Sequence, residues 1–373
     1  MDLVDIKSLS HQVIWLSFIV CVFLGGLMQK TGFCTMGAVS DFFIMSRTTR
    51  LKQWFMAIGV AIIGVAVMSF FGLIDTSKSI YTANRFLYAS TVVGSILFGI
   101  GMILASGCGS KTLIRIGGGN LKSVVVFLIL GLTAFITLRG VLGVFRVATL
   151  DTFFITFNTP QDLPSLLNDY VSLGKPTLHL LLALAIGGLF LLYSLTGKAS
   201  RSLENITAGA GVGLAICAIW WISGYLGHIA EDPNTLEEAF LATNSGRMES
   251  LSFVSPYAYS LDWLMFFSDV SKSLTIGIMA IAGMLLGSLL VALITNSFRW
   301  ESFRDAEDTA NHMVGAVLMG FGGITALGCT IGQGLSGIST LAVSSFLALP
   351  GFIFGAYLGL RYLQYRLAPN PCN

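Results

Sequence analysis

Three cysteines of this 373-residue chain lie at glycine-containing breaks inside apolar stretches. Cys34 follows Gly-Phe in KTGFCTMG, Cys108 follows Gly107 in LASGCGSK, and Cys329 follows Gly328 in TALGCTIGQG. A buried thiol stays protonated because desolvation opposes the thiolate, so it acts as a weak donor that does not repel an anion. Three such thiols suit an anion that carries both oxygen and an exposed, soft sulfur atom.

The backbone at these breaks supplies further binding groups. Broken helices expose N–H groups, and where those groups open a following half-helix they attract anions. Cationic side chains at membrane depth are costly and usually mark a transport pathway. The predicted substrate-binding set therefore combines thiols, cations and residues at the breaks: Cys34, Cys108, Cys329, Lys30, Lys111, Arg115, Gly107, Gly328 and Gln333.

Other interpretations of these motifs are less favoured. The sequence GCGSKT lacks the spacing of a phosphate-binding loop, because Ser110 precedes Lys111. Cys21, Cys217 and Cys372 have no comparable setting and are interpreted as packing or tail residues. No metal site or cofactor is predicted, because there is no Cys-x-x-Cys pair and the histidines lie at the ends of apolar stretches: His11, His179, His228 and His312.

Composition indicates the setting of these residues. Apolar residues make up 54% of the chain and charged residues 11%, and the mean hydropathy is +0.80, which predicts an integral membrane protein. The net charge is +2 and the sequence contains no basic block, so nucleic acid is not a predicted partner. The lipid bilayer is the predicted surrounding of the protein.

Hydropathy predicts an all-α polytopic membrane protein with a single transmembrane domain over residues 1–373. Two further apolar segments, 33–45 and 252–267, are too short to cross and are predicted to be re-entrant. About nine membrane helices are expected, at 12–29, 54–74, 91–107, 121–145, 177–195, 206–229, 273–295, 313–328 and 341–365.

The chain also contains an internal repeat. Residues 94–108, GSILFGIGMILASGC, align with residues 315–329, GAVLMGFGGITALGC, at a shift of 221. The alignment predicts two inverted repeats in an hourglass-like protein, in which both Gly-Cys breaks reach the midplane. Repeat 1 is expected over about 12–145, a linker helix over about 177–195, and repeat 2 over about 206–365.

Loop charges predict the orientation. Arg47, Arg50 and Lys52 crowd one short loop, which is typical of the cytoplasmic side. The loops 146–176 and 230–262 are longer and more acidic, so they are expected outside, as is the N-terminus, with the C-terminus inside. Residues 296–312 carry mixed charges and do not indicate a side by themselves.

Four segments resemble the signature segments of the YeeE/YedE family of bacterial inner-membrane sulfur-compound transporters: GLMQKTGFCTMGAVSDFF, GIGMILASGCGSKTLIRIGGG, SGRMESLSFVSPYA and GAVLMGFGGITALGCTIGQGLSG. The resemblance spans nearly the whole chain and includes all three cysteine-containing breaks in order. It implies thiosulfate uptake, with Cys34, Cys108 and Cys329 contacting the substrate at successive constrictions. It also implies a small cytoplasmic sulfurtransferase as the partner that receives the sulfur.

The predicted function is therefore inward transport of thiosulfate across the bacterial inner membrane by a protein that is not an enzyme. A selenium compound or another thio-anion is the alternative within transport, because the family includes a branch linked to selenium metabolism. The alternative of another class is a membrane sulfurtransferase or anchor that carries a persulfide on cysteine. No activating histidine lies near these cysteines in the sequence, which disfavours that alternative.

Overall fold

The computed structural model describes residues 3–168, 170, 174–197, 199–233, 235–269 and 271–367, so that Cys372 lies outside the described residues. The described residues form fourteen α-helices: α1 (Leu3–Thr31), α2 (Thr35–Met45), α3 (Thr49–Phe70), α4 (Tyr88–Leu104), α5 (Gly109–Gly117), α6 (Leu121–Arg139), α7 (Val141–Thr149), α8 (Leu163–Asn168), α9 (Lys175–Ser194), α10 (Leu203–Trp221), α11 (Ser255–Met265), α12 (Ile276–Ile294), α13 (Ala306–Thr325) and α14 (Val343–Leu367). Two antiparallel pairs of two-residue strands complete the fold: β1 (Arg85–Phe86) with β2 (Ile155–Thr156), and β3 (His228–Ile229) with β4 (Ala239–Phe240).

The all-α polytopic prediction is confirmed, and every predicted long helix is present. Eight stretches of the described residues are long and apolar enough to cross a membrane. α13 is not among the eight; it starts at Ala306 rather than the predicted 313, because the Asp305 carboxylate caps its polar first turn by accepting from Asp308 N–H at 2.7 Å. α6 ends at Arg139 rather than 145, because Gly140 interrupts the helix. The two short apolar segments form α2 and α11.

The two repeat-related helices α4 and α13 cross in opposite directions with almost no side chains between them. A Cβ atom on Gly94 would lie 2.6 Å from Gly322 O, and one on Gly101 would lie 2.6 Å from Gly315 O. Gly94 and Gly315 are equivalent at the 221-residue shift, as are Gly101 and Gly322. The two contacts therefore exchange under the repeat, as contacts around a pseudo-two-fold axis do.

The flanking helices repeat this exchange. α12 packs against α1, and Gly287 lies so close that an added Cβ would be 1.9 Å from Val22 O. α10 packs against α3 in the same way, with a Cβ on Gly213 reaching 2.8 Å from Ala57 O. The first helix of each half thus contacts the third helix of the other half, and small residues allow the close approach.

One face of the bundle, called the loop face, is formed by residues 72–87, 150–162 and 242–254. Ile80 N–H donates to Met248 O at 3.3 Å, and Gln161 N–H donates to Thr82 O at 3.2 Å. These hydrogen bonds join loops that are far apart in the sequence into one cover over the helix ends.

The opposite face contains the basic loop that precedes α3. α14 begins at the loop face, where Val343 N–H donates to Gln161 O at 2.9 Å, and ends on this opposite face. There Arg366 pairs with Glu307 at 2.9 Å, and the Tyr357 ring packs against Phe43 of α2. Residues 296–308 therefore lie on the same face as the basic loop.

Candidate functional site

The two Gly-Cys breaks have the same backbone conformation. Ser106 and Leu327, which follow α4 and α13, both adopt the left-handed region with φ of 54° and 58°. In each break the next glycine N–H, of Gly107 or Gly328, bonds back to the carbonyl five residues earlier, at 2.9 and 2.8 Å. Non-glycine residues with positive φ carry a conformational cost, which concentrates at functional sites.

Each of the three cysteines lies at the start of a short helical segment. Cys34 is the N-cap of α2, and its sulfur accepts from Gly37 N–H at 3.3 Å. The Cys329 sulfur accepts from Gly332 N–H at 3.4 Å, at the start of a π-helical turn. Cys108 is the N-cap of α5 but makes no capping hydrogen bond, so the first N–H groups of α5 have no side-chain cap.

The three thiols form a buried row through the middle of the bundle. Cys34 interacts directly with Cys108, and Cys329 lies close enough to Cys108 for the two to interact electrostatically. Their relative exposures are 7%, 1% and 1% for Cys34, Cys108 and Cys329, and all three are free thiols. The Cys108 sulfur also lies 3.4 Å from Ser110 Oγ and faces the Thr330 hydroxyl. Segments from both halves of the chain therefore build one continuous thiol row.

Lys111 supplies the positive charge nearest to this row. Its side chain is partly buried, its Cγ lies 3.3 Å from where a Cβ on Gly107 would be, and its ammonium acts electrostatically on Cys34. Within the part of the chain that the structure describes, Lys111 makes neither an ion pair nor a side-chain hydrogen bond. An unpaired, partly buried ammonium is available to an anion.

The other two predicted cations are placed differently. Arg115 donates from Nη1 to Ser106 O at 3.0 Å and lies 4.0 Å from Glu301, so it holds the break and the loop before α13 together. Lys30 is exposed in the last turn of α1, outside the buried row. The structure therefore brings Lys111 alone of the three to the thiols.

Gln333 braces the second break. Its Nε2 donates to Ala326 O at 2.7 Å, and its Oε1 accepts from Ser345 Oγ at 2.5 Å. A Cβ on Gly328 would lie 3.0 Å from Gln333 N, so glycine is needed for this approach. Both polar ends of Gln333 are engaged by the protein, which favours a positioning role over direct substrate contact.

Sequence reasoning missed residues that reach the row from distant segments. Tyr257 of α11 donates its hydroxyl to Gly109 O at 2.6 Å and so fixes the start of α5. Tyr81 and Ser252 lie over the turn that follows Cys329, and they line a cavity of about 190 Å³ beneath the loop face. The one available sequence signal was the position of Tyr257 in SPYA, a segment that the repeat aligns with the Cys34 segment.

Discontinuous helices that meet at a polar, buried row inside an apolar bundle are the architecture of a membrane transport protein. The sequence model of the Sulphur transport family matches residues 30–358, so the chain belongs to that family of transporters and is not an enzyme. This match confirms the resemblance to YeeE/YedE proteins.

Two relatives carry the same name, thiosulfate transporter TsuA. The protein from Escherichia coli strain K12 is 27% identical over 348 residues, which cover 92% of this chain and 92% of the relative. The protein from Spirochaeta thermophila is 26% identical over 353 residues, which cover 92% of this chain and 97% of the relative.

Proposed function

We propose that this protein imports thiosulfate across the cytoplasmic membrane, and that the anion passes Cys329, Cys108 and Cys34 in turn. The observation that carries the proposal is the buried row of thiols beside the unpaired ammonium of Lys111. The two TsuA relatives support thiosulfate as the substrate.

The charge of the substrate favours neutral thiols. A dianion that enters a low-dielectric region loses hydration, and a thiolate in its path would add a repulsion that a single lysine could not cancel. Cys108 is the best placed of the three thiols, because no side chain caps the start of α5 there and the uncapped start of a helix attracts anions. Each S–H contact is weak, so three in series bind a passing anion loosely enough to release it.

The orientation and the repeats are part of the proposal. Two inverted repeats would explain the reciprocal glycine contacts of α4 and α13. With the basic loop 46–53 inside, the loop face with its segments 146–176 and 230–262 is outside, as is the N-terminus, and the C-terminus is inside. The cavity beneath the loop face is then the outer entrance to Cys329.

Growth on thiosulfate as the sole sulfur source, in a bacterium that lacks sulfate and thiosulfate uptake, tests the proposal. We expect the wild-type protein to restore growth, Cys108→Ala or Cys329→Ala to abolish it, and serine at either position to impair it strongly. Cys217→Ala is the matched control: its thiol is also buried, but it lies against Val60 O and Ala61 O at 3.9 and 3.8 Å. If the protein restores growth on other sulfur compounds but not on thiosulfate, the substrate is a different sulfur compound.

The same variants separate non-covalent transport from covalent sulfur transfer. If the protein is a covalent carrier, the serine variants should be as inactive as the alanine variants, and mass spectrometry of the intact protein should show a persulfide adduct. An adduct on Cys108 or Cys329 that forms at the rate of uptake would contradict the non-covalent path. A selenium compound or another thio-anion stays the alternative substrate, and a small cytoplasmic sulfurtransferase stays a predicted partner.

A further inference from the structure

Three hydroxyl groups from three separate segments lie near Cys329. A Cβ on Gly332 would lie 2.8 Å from Ser252 Oγ and 3.1 Å from the Tyr81 hydroxyl, so both oxygens lie directly over this residue. Gly332 N–H is the group that contacts the Cys329 sulfur. Thr330 follows Cys329 in the chain, and its hydroxyl faces Cys108.

Two of these three hydroxyl oxygens are buried without a well-formed hydrogen bond to the described part of the fold, and the third, on Tyr81, interacts with Ser252. Thr330 is 0% exposed and Tyr81 2% exposed. Among the described residues, Thr330 Oγ1 and Ser252 Oγ have no hydrogen-bonding partner of ordinary geometry. A buried hydroxyl without a partner costs free energy, and such groups cluster where a ligand completes their hydrogen bonds. By contrast, the nearby Ser336 and Ser339 hydroxyls bond to backbone carbonyls at 2.8 and 2.6 Å.

We infer that Tyr81, Ser252 and Thr330 form an oxyanion-binding station at Cys329, which selects substrates that carry oxygen atoms as well as a terminal sulfur. The inference rests on the proposed function and names the substrate class that this end of the path accepts. Neutral hydroxyls donate to anionic oxygens without adding charge, and the Cys329 thiol offers a soft donor to the sulfur. The cavity beneath the loop face, lined by Tyr81 and Ser252, delivers the anion to this station.

The station predicts discrimination between three probe anions. Thiosulfate has both features, sulfate has oxygen without a terminal sulfur, and thiocyanate has a terminal sulfur without oxygen. Calorimetric titration of the purified full-length protein in detergent measures the Kd of each. We expect thiosulfate to bind most tightly. Thr330→Val and Tyr81→Phe should each weaken thiosulfate binding about tenfold, the effect of losing one hydrogen bond to a charged group, and leave thiocyanate binding within about twofold.

Two further variants control for folding and chemistry. Thr330→Ser retains a hydroxyl and should bind thiosulfate like the wild-type protein. Thr137→Val removes a hydroxyl that is equally buried but donates to Thr133 O within α6, so thiosulfate binding should not change. The station is overturned if the thiosulfate Kd is unchanged in Thr330→Val, Tyr81→Phe and Ser252→Ala. It is also overturned if these variants lose affinity for thiosulfate and thiocyanate equally. Neither result would contradict thiosulfate transport. A wild-type protein that does not bind thiosulfate would overturn both.

Discussion

Replacing Gly94 by alanine inserts a methyl group at the crossing of α4 and α13, where the structure has no room for it. The new Cβ would lie 2.5 Å from Ala326 N and 2.6 Å from Gly322 O, whereas ordinary contacts begin at 3.4 Å. Both neighbours are backbone atoms, so relief requires the two helices to separate. Overpacking of this kind costs about 1–3 kcal/mol, and the higher helix propensity of alanine returns about 0.5–1 kcal/mol. We expect a net loss of about 1–2 kcal/mol.

The assay is thermal unfolding of the purified protein, monitored by size-exclusion chromatography after heating, together with thiosulfate uptake in cells. Gly94→Ala should lower the melting temperature by about 2–5 °C and reduce uptake, because the crossing precedes both breaks. Gly101→Ala should behave alike through its reciprocal contact with Gly315 O, and the double variant should lose less than the sum. Gly188→Ala in α9 is the matched control, since its Cβ would meet nothing within 4 Å. If Gly94→Ala unfolds and transports like Gly188→Ala, the close crossing is wrong.

Two further predictions concern charge. Lys111→Met should raise the KM for thiosulfate uptake at least about tenfold, because the attraction between two unit charges about 4 Å apart is about 4 kcal/mol at an effective dielectric constant of 20. Replacement of the exposed Lys30 by methionine is the control. Equal effects of the two substitutions would contradict a role for Lys111 in the path. On the loop face, burial raises the pKa of Glu238, but hydrogen bonds from Lys78 and His228 outweigh it and hold the pKa below its usual 4.5. The stability that Glu238 adds is therefore present above about pH 4.5 and is lost as the pH falls through the lowered pKa. Limited proteolysis of the β3–β4 segment should accelerate in that acidic window in the wild-type protein, whereas Glu238→Gln should be cleaved readily at all pH values; a pH-independent wild-type rate would contradict this.

The sequence predicts the breaks well because they depend on local signals. Glycine and cysteine inside an apolar stretch are visible in one window, and the 221-residue repeat relates the breaks at Cys108 and Cys329. Hydropathy placed the start of α13 too late. The first turn of α13 is polar and capped by Asp305, so its low hydropathy cannot be distinguished from that of a loop.

The use of individual polar groups could not be predicted in the same way. Lys111 and Arg115 lie four residues apart on α5. Arg115 forms a hydrogen bond to Ser106 O and an ion pair with Glu301, whereas Lys111 is unpaired among the described residues. That difference depends on residues 106 and 301, of which the second comes from the other half of the chain. Tyr81 and Ser252 likewise reach Cys329 from loops whose pairing is visible only in three dimensions.

The position of the cysteines at helix starts gives a physical reason for thiols rather than hydroxyls. Serine is among the strongest N-cap residues, because its oxygen accepts firmly from the N–H groups of the first turn. The Cys34 and Cys329 sulfurs accept from Gly37 and Gly332 at 3.3 and 3.4 Å, and sulfur is a weak acceptor. These N–H groups are therefore only weakly engaged by the sulfur and can donate to an oxygen of a passing anion. Serine at either position would stabilise the helix start and at the same time withhold its N–H groups from the substrate. Stability and transport should consequently change in opposite directions in Cys34→Ser and Cys329→Ser, whereas a purely structural role for the thiols requires them to change together.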